Sequence, residues 1–261
     1  MRYLRLYAYF LRFSFSRAME FRIDFFFRIV MDVVWNAMYL TFFSVIFMHT
    51  EMLGGWNYDQ ILVFTGTLFV ADAIQMTVFS NNMWWLPIFV NKGDLDYYLV
   101  RPVSTLFMLS LRDFAANSFL NLLIAIGILT WAIGRYPEPI GGGTVALFLF
   151  LVLVGAFLNY AIGMLFLSTV FWTHNADGAK QFYWTMGGTA SRPHRIYRGL
   201  ARRILTTILP FSLVASYPVD SLFSGEPVAT MAYMLLVATV VFAALLFVWR
   251  CGLRVYASAS S

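Results

Sequence analysis

Apolar residues along this chain do not alternate with polar ones. They gather into long runs separated by short polar breaks. A run of about 18 or more mostly apolar residues can cross a bilayer as a helix. Six such runs are expected, at roughly 26–48, 60–82, 114–134, 144–172, 203–223 and 228–249. The fourth is long enough to tilt or to project beyond the bilayer. Composition agrees: 61% of the 261 residues are hydrophobic and 12% are charged, against about 25% charged in a soluble domain. The expected fold is all-α and integral to a membrane, with six transmembrane helices.

Charge placement adds an orientation. With both termini cytoplasmic, that side holds Arg2, Arg5, Arg12, Arg17, Arg22 and Arg28 from the N-terminal segment. The stretch after span two adds Lys92, Arg101 and Arg112. The stretch after span four adds Lys180, Arg192, Arg195, Arg198, Arg202 and Arg203, and the tail adds Arg250 and Arg254. Of 18 basic residues only Arg135 then falls outside, while Glu51, Asp59, Glu138 and Glu226 occupy the outer loops. This is the bias expected of a multi-pass inner-membrane protein. The net charge of +5 is thus a topological signal, and no nucleic-acid partner is expected. Residues 177–203 leave a choice. They read as a cytoplasmic loop or as the start of span five, with Ile204 to Leu222 dipping back into the membrane from outside. The Arg-rich RPHRIYRGLARR favours the loop.

The N-terminus is basic and aromatic throughout, without a short apolar core and a small-residue cleavage site, so no cleavable signal peptide is expected. Residues 1–25 form the first domain. On a helical wheel Arg2, Arg5, Tyr9, Arg12, Ser16, Arg17 and Glu20 share one face, and Leu4, Tyr7, Leu11, Phe15 and Ala18 the opposite one. Such a basic amphipathic helix lies in the interface plane, arginines toward anionic headgroups. The alternative is a charged flank that only sets topology. Residues 26–249 form the transmembrane domain and 250–261 a cytoplasmic tail.

Ionisable residues within spans cost a few kcal/mol each on insertion scales and need a partner or a function. Arg28 and Asp32, four apart, read as a structural pair. Asp72, near the middle of span two, reads as a proton-relay carboxylate, a substrate contact or a partner of a donor on another helix. Asn36, Asn117, Asn121 and Asn159 read as interhelical glue or as the lining of a polar pathway.

Catalysis by this chain alone is not expected. It lacks a GxSxG elbow, an HExxH zinc motif and a GxxxxGK[ST] phosphate loop. His49, His174 and His194 are scattered without ligand spacing, so no metal site is expected. Gly141 to Gly143 form a hinge before span four. The single Cys251 has no partner within the chain.

One charged stretch interrupts the apolar pattern: NKGDLDYYLVRPVS, residues 91–104. Pro87 before it ends or kinks span two. Gly93 permits a turn, Asp94 is placed to cap a short helix, and Pro102 stops it with Arg101 at its C-terminal end. Leu95, Tyr97, Tyr98, Leu99 and Val100 are more apolar than a solvated linker requires. A short, rigid, aromatic knob of this kind suits docking into a cleft of a partner.

The segment GDLDYYLVRPVS resembles the cytoplasmic segment of permease subunits of the type-2 ABC exporter class. It is most similar to small six-span permeases with a G-x-L-D-x-x-L-x-R-P pattern. MEFRIDF (19–25), ILPFSLVASYPVD (208–220) and WRCGLRVYASA (249–259) resemble further segments of that family, in order. The chain departs from it at Arg192-Pro193, where Tyr-Pro is frequent. The resemblance implies a permease dimer, identical or mixed, in which each half docks on a separate ATP-binding subunit. It implies that the helix between spans two and three is a coupling helix and the N-terminal helix a connecting helix. Asp94, Asp96 and Arg101 would be the polar contacts to the ATPase, and Leu95, Tyr97 and Leu99 the packing ones. No cofactor belongs to this chain; ATP and Mg belong to the partner. Membrane lipids are the remaining partners. Two other functions compete: a proton-coupled secondary transporter or channel using Asp72, and a membrane-embedded enzyme or assembly factor.

Overall fold

The computed structural model describes residues 2–18, 22–223 and 226–257. Residues 19–21 and the side chains of 22–25 in the motif at 19–25, the side chain of Asn117 and the last residues of the tail motif lie outside what is described. The described residues form helices and no strands.

Helix α1 (Arg2–Ala18) precedes α2 (Arg22–Phe47). Then α3 (Tyr58–Ile74), a π-helical segment at Gln75–Ser80, and α4 (Asn81–Lys92) run on as one apolar helix of 35 residues. At 1.5 Å per residue this is about 52 Å long, well beyond a hydrocarbon core of about 30 Å. The helix is thus long enough to tilt in a bilayer or to project beyond it. Pro87 is buried inside α4 and does not end it. The segment 93–104 caps one end, called here the near end. The loop 48–57 marks the far end.

After the single turn α5 (Asp96–Leu99), α6 (Thr105–Leu111) climbs back beside α4, and α7 (Phe119–Arg135) continues to the far end. There Arg135 Nε meets Asp59 Oδ1 at 3.2 Å. Contact between α3 and α7 is close because Gly66 has no side chain; a Cβ there would come 2.9 Å from Leu129 Cα. Helix α8 (Gly142–Leu167) and the short α9 (Val170–Thr173) return to the near end, where Asn91 Nδ2 donates to the His174 carbonyl at 2.8 Å.

The next segment departs from expectation. Helix α10 (Asp177–Gly187) and residues 188–193 lead from the near end to the far end, where Arg195 and Ile196 pack against Gly54. The chain then turns back through α11 (Gly199–Arg203), a π-helical turn at Ile204–Ile208 and a 3-10 turn at Phe211–Leu213. Phe211 reaches Tyr183, at 5.8 Å between rings, and Val214 sits against Gly155, where a Cβ would overlap the Val214 carbonyl oxygen. Helix α12 (Ser216–Phe223) returns to the far end, where Phe223 packs on Tyr136. Helix α13 (Pro227–Val255) then runs to the near end.

Residues 203–223 are thus not one crossing helix. They dip into the bundle and come back, broken at Leu209-Pro210, as in the reading that the Arg-rich stretch argued against. The run is apolar because it is buried in protein: Phe211, Leu213, Ala215 and Val219 are wholly buried. Irregular backbone is tolerated at membrane depth only in such a setting. The less apolar 177–193 is instead the stretch that runs from the near end to the far end. Consequently Arg192, Arg195, Arg198, Arg202 and Arg203 belong to the far end, and the charge count of the expected orientation loses them.

Helix α1 also differs in detail. Leu6 and Phe10 pack toward the bundle, and Ser14 is buried. Leu4, Tyr9 and Phe13 are exposed. Apolar side chains thus lie on more than one side of the helix, which blurs a two-faced wheel.

Candidate functional site

At the near end, Gly93 closes α4 in the left-handed region (φ 80°) with its N–H on the Val90 carbonyl. This turn sends Leu95 inward, where its side chain is fully buried and its N–H donates to the Phe89 carbonyl at 3.2 Å. Tyr98, three residues on, is also buried; its ring lies 5.2 Å from Phe89 and its hydroxyl accepts from Arg112. Leu95 and Tyr98 anchor the segment, so Asp94, Tyr97, Leu99 and Val100 are left exposed. The Arg101 guanidinium stacks over Tyr97 at 4.0 Å from the ring centre. Two expectations change here. Leu95 offers no docking surface, and Asp94 does not cap the helix, whose start carries no side-chain hydrogen bond.

The tail meets this segment. Trp249, Gly252 and Tyr256 lie on one face of α13 and its end, packed on Phe171 of α9. The Trp249 and Tyr256 rings stand edge-on to it at 5.4 and 6.3 Å. Burial, with the nearby Asp96 and Asp94 carboxylates, pushes the Tyr256 hydroxyl pKa above its ordinary value.

A second feature lies at mid-height. A cavity of about 400 Å³ opens between α2, the α3–α4 helix and α10. Trp35, Tyr39, Asp72, Gln75, Trp84 and Asn159 are among its walls. Asp72 is exposed and faces this space. Trp84 stacks on Trp184 at 5.5 Å, and Tyr183 donates to Asn159 Oδ1 at 3.0 Å. The other amides divide. Asn36 Nδ2 donates to Asn121 Oδ1 at 3.3 Å, both buried, so this pair joins α2 to α7. The buried amide of Asn82, not singled out in the sequence, donates to the Asp113 carbonyl at 2.7 Å and accepts from the Asp113 N–H at 2.8 Å. Its signal was an amide two residues past the π-helical segment, indistinguishable from a surface Asn without the fold.

Residues 33–260 match the family described as ABC-2 family transporter protein. The chain belongs to that family. No curated protein and no solved structure matches it. It is a membrane permease component of an ABC transporter, and membership implies an ABC ATP-binding subunit as partner. The match includes the segment 93–104, the cavity and the re-entrant stretch.

The far end of this ABC-2 permease carries a buried polar cluster that sequence reasoning missed. Asp220 of α12 accepts from Arg195 Nη2 at 2.8 Å, and its other oxygen lies 3.3 Å from His194 Nε2. The His194 N–H donates to Ser216 Oγ at 3.1 Å. Trp56, wholly buried, packs edge-on to His194, and Arg195 lies 5.8 Å from its ring. Burial, then the Arg202 and Arg195 charges, lowers the His194 pKa to about 4, so the ring is neutral at pH 7. His194 had no ligand-spaced neighbour in sequence, and its partner lies 26 positions away.

Proposed function

We propose that this chain is one of two membrane-spanning halves of an ATP-driven ABC exporter, coupled to a separate ATPase through its near end. The chain crosses the membrane six times, with both termini and the segment 93–104 in the cytoplasm of a cell bounded by an inner membrane. The crossings are α2, α3–α4, α7, α8, α10 with 188–193, and α13. Arginines of α1, the near-end loops and the tail support this orientation even without the 192–203 stretch.

The observation that carries the reading is the construction of the near end. A long helix is closed by a short turn whose inner side chains are locked by Phe89 and Arg112, while Tyr97, Leu99 and Val100 stay exposed beside Asp94 and Arg101. That turn is tied to α9 through Asn91 and lies against the end of α13 through Tyr256. Force applied there reaches three membrane helices at once. Binding and hydrolysis of ATP, with its Mg, take place on the partner. The cavity lined by Asp72 and Asn159 is this chain's share of the translocation route, completed by a second permease, identical or related.

Arg101→Glu tests the coupling surface. Arg101 stacks only on an exposed ring, so folding is retained. Losing a charge-assisted contact should lower retention of the ATPase roughly tenfold and reduce ATP hydrolysis of the complex. Normal association and normal hydrolysis would remove 93–104 as the docking element.

A further inference from the structure

A groove of about 600 Å³ opens at the near end between α1 and α6. Three guanidiniums reach it from different elements: Arg12 of α1, Arg101 at the end of the coupling segment, and Arg112 at the end of α6. Asp113 adds a carboxylate, so positive charge on the wall exceeds negative. Tyr9, Phe13 and Met108 supply an apolar lining.

Aromatic rings, not acids, hold two of these arginines. Arg101 covers Tyr97, and Arg112 lies 5.5 Å from the Tyr98 ring centre while donating to its hydroxyl. Among the described residues, Arg12, Arg101 and Arg112 form no ion pair. Like charges gathered around one space repel one another, and an anion placed between them removes that cost. A stacked guanidinium is also pre-oriented for bidentate contact with phosphate.

Position decides which anion. Helix α1 is pinned to the bundle where Ser14 Oγ accepts from the Phe114 N–H at 3.1 Å and Tyr3 packs on Phe107 at 4.8 Å. Leu4, Tyr9 and Phe13 remain exposed. A helix with arginines and exposed apolar side chains lies at headgroup level. The groove thus opens where the phosphates of one leaflet lie, and Phe13 extends its wall toward the acyl chains.

We infer that this groove binds an anionic phospholipid of the near-end leaflet. Its phosphate sits among Arg12, Arg112 and Arg101, and its acyl chains run along Phe13 and Met108. The inference needs only a membrane-embedded chain and stands whether or not the near end docks an ATPase. A lipid held there joins α1 to the coupling segment, so the composition of the leaflet sets how firmly the two move together.

The test is lipid retention, read by native mass spectrometry on the full chain released from nanodiscs of phosphatidylcholine with a minor share of phosphatidylglycerol. Phosphatidylglycerol should be retained in preference to phosphatidylcholine. Arg12→Gln with Arg112→Gln should lower that retention roughly thirtyfold, from the usual worth of two interfacial arginines. Arg250→Gln with Arg254→Gln, at the same end but outside the groove, should leave it unchanged. If losing the Tyr98 contact prevents folding, Arg12→Gln alone decides; its side chain is exposed, and about fivefold loss is expected. No preference for phosphatidylglycerol, full retention in the groove variants, or equal loss in both pairs would overturn the inference. So would displacement of the lipid by inorganic phosphate or by an acidic peptide, each of which would reveal a site that reads charge without the acyl chains.

Discussion

Gly252 sits where α13 crosses Phe171 so closely that a Cβ would overlap the ring. Nothing about its backbone requires glycine, since it lies inside a regular helix. What requires it is the approach of Trp249 and Tyr256 to the same ring. Gly252→Ala is therefore expected to destabilise the near end by about 1–3 kcal/mol, the usual cost of overpacking, despite the better helix propensity of alanine. Thermal unfolding in detergent would measure it, and Phe171→Leu should recover part of the loss. A variant as stable as the parent would mean that the near end is looser than its packing indicates. The tail motif was legible in sequence as a resemblance, but its reason was not: the three positions share a partner 78 to 85 residues upstream. In the segment 93–104, residue types suggested a docking knob. Which of them stay exposed could not be read, because only the Gly93 turn determines that Leu95 and Tyr98 point inward.

The re-entrant element between α10 and α13 shows a similar limit. Hydropathy reports burial from water and does not distinguish lipid from protein interior, so 203–223 read as a span while 177–193, which runs from the near end to the far end, did not. The arginines misled for a related reason. Positive-inside bias concerns short flexible loops, whereas Arg195 is packed between Trp56 and Asp220. That cluster makes a prediction for the element. Asp220→Ala leaves a buried imidazole and a half-buried guanidinium without their acceptor, which should cost about 1–3 kcal/mol. The loss should appear locally, as faster amide hydrogen exchange at 194–197 and around Trp56, with exchange at the near end unchanged. Unaltered protection at 194–197 would show that the apolar contacts of 211–215 hold the element by themselves.

For the whole molecule, the all-helical membrane class and the family were legible, because long apolar runs and ordered motifs survive without knowledge of contacts. The path of the chain between α8 and α13 was not. Cysteine labelling of intact cells separates the two paths directly. In a Cys251→Ser background, Arg198→Cys should react with a membrane-impermeant maleimide and Asp94→Cys should not, until the cells are opened. Labelling of neither in intact cells would return 192–203 to the cytoplasm. The near end is proposed above as the seat of a separate ATPase. The most direct test of that proposal is to purify the tagged chain from its native cells in mild detergent, repeat the purification in lipid nanodiscs, and quantify every protein that comes with it. An ATP-binding subunit should come with it in stoichiometric amount and be depleted by Arg101→Glu. Recovery of the chain without any ATP-binding protein in both preparations would contradict it.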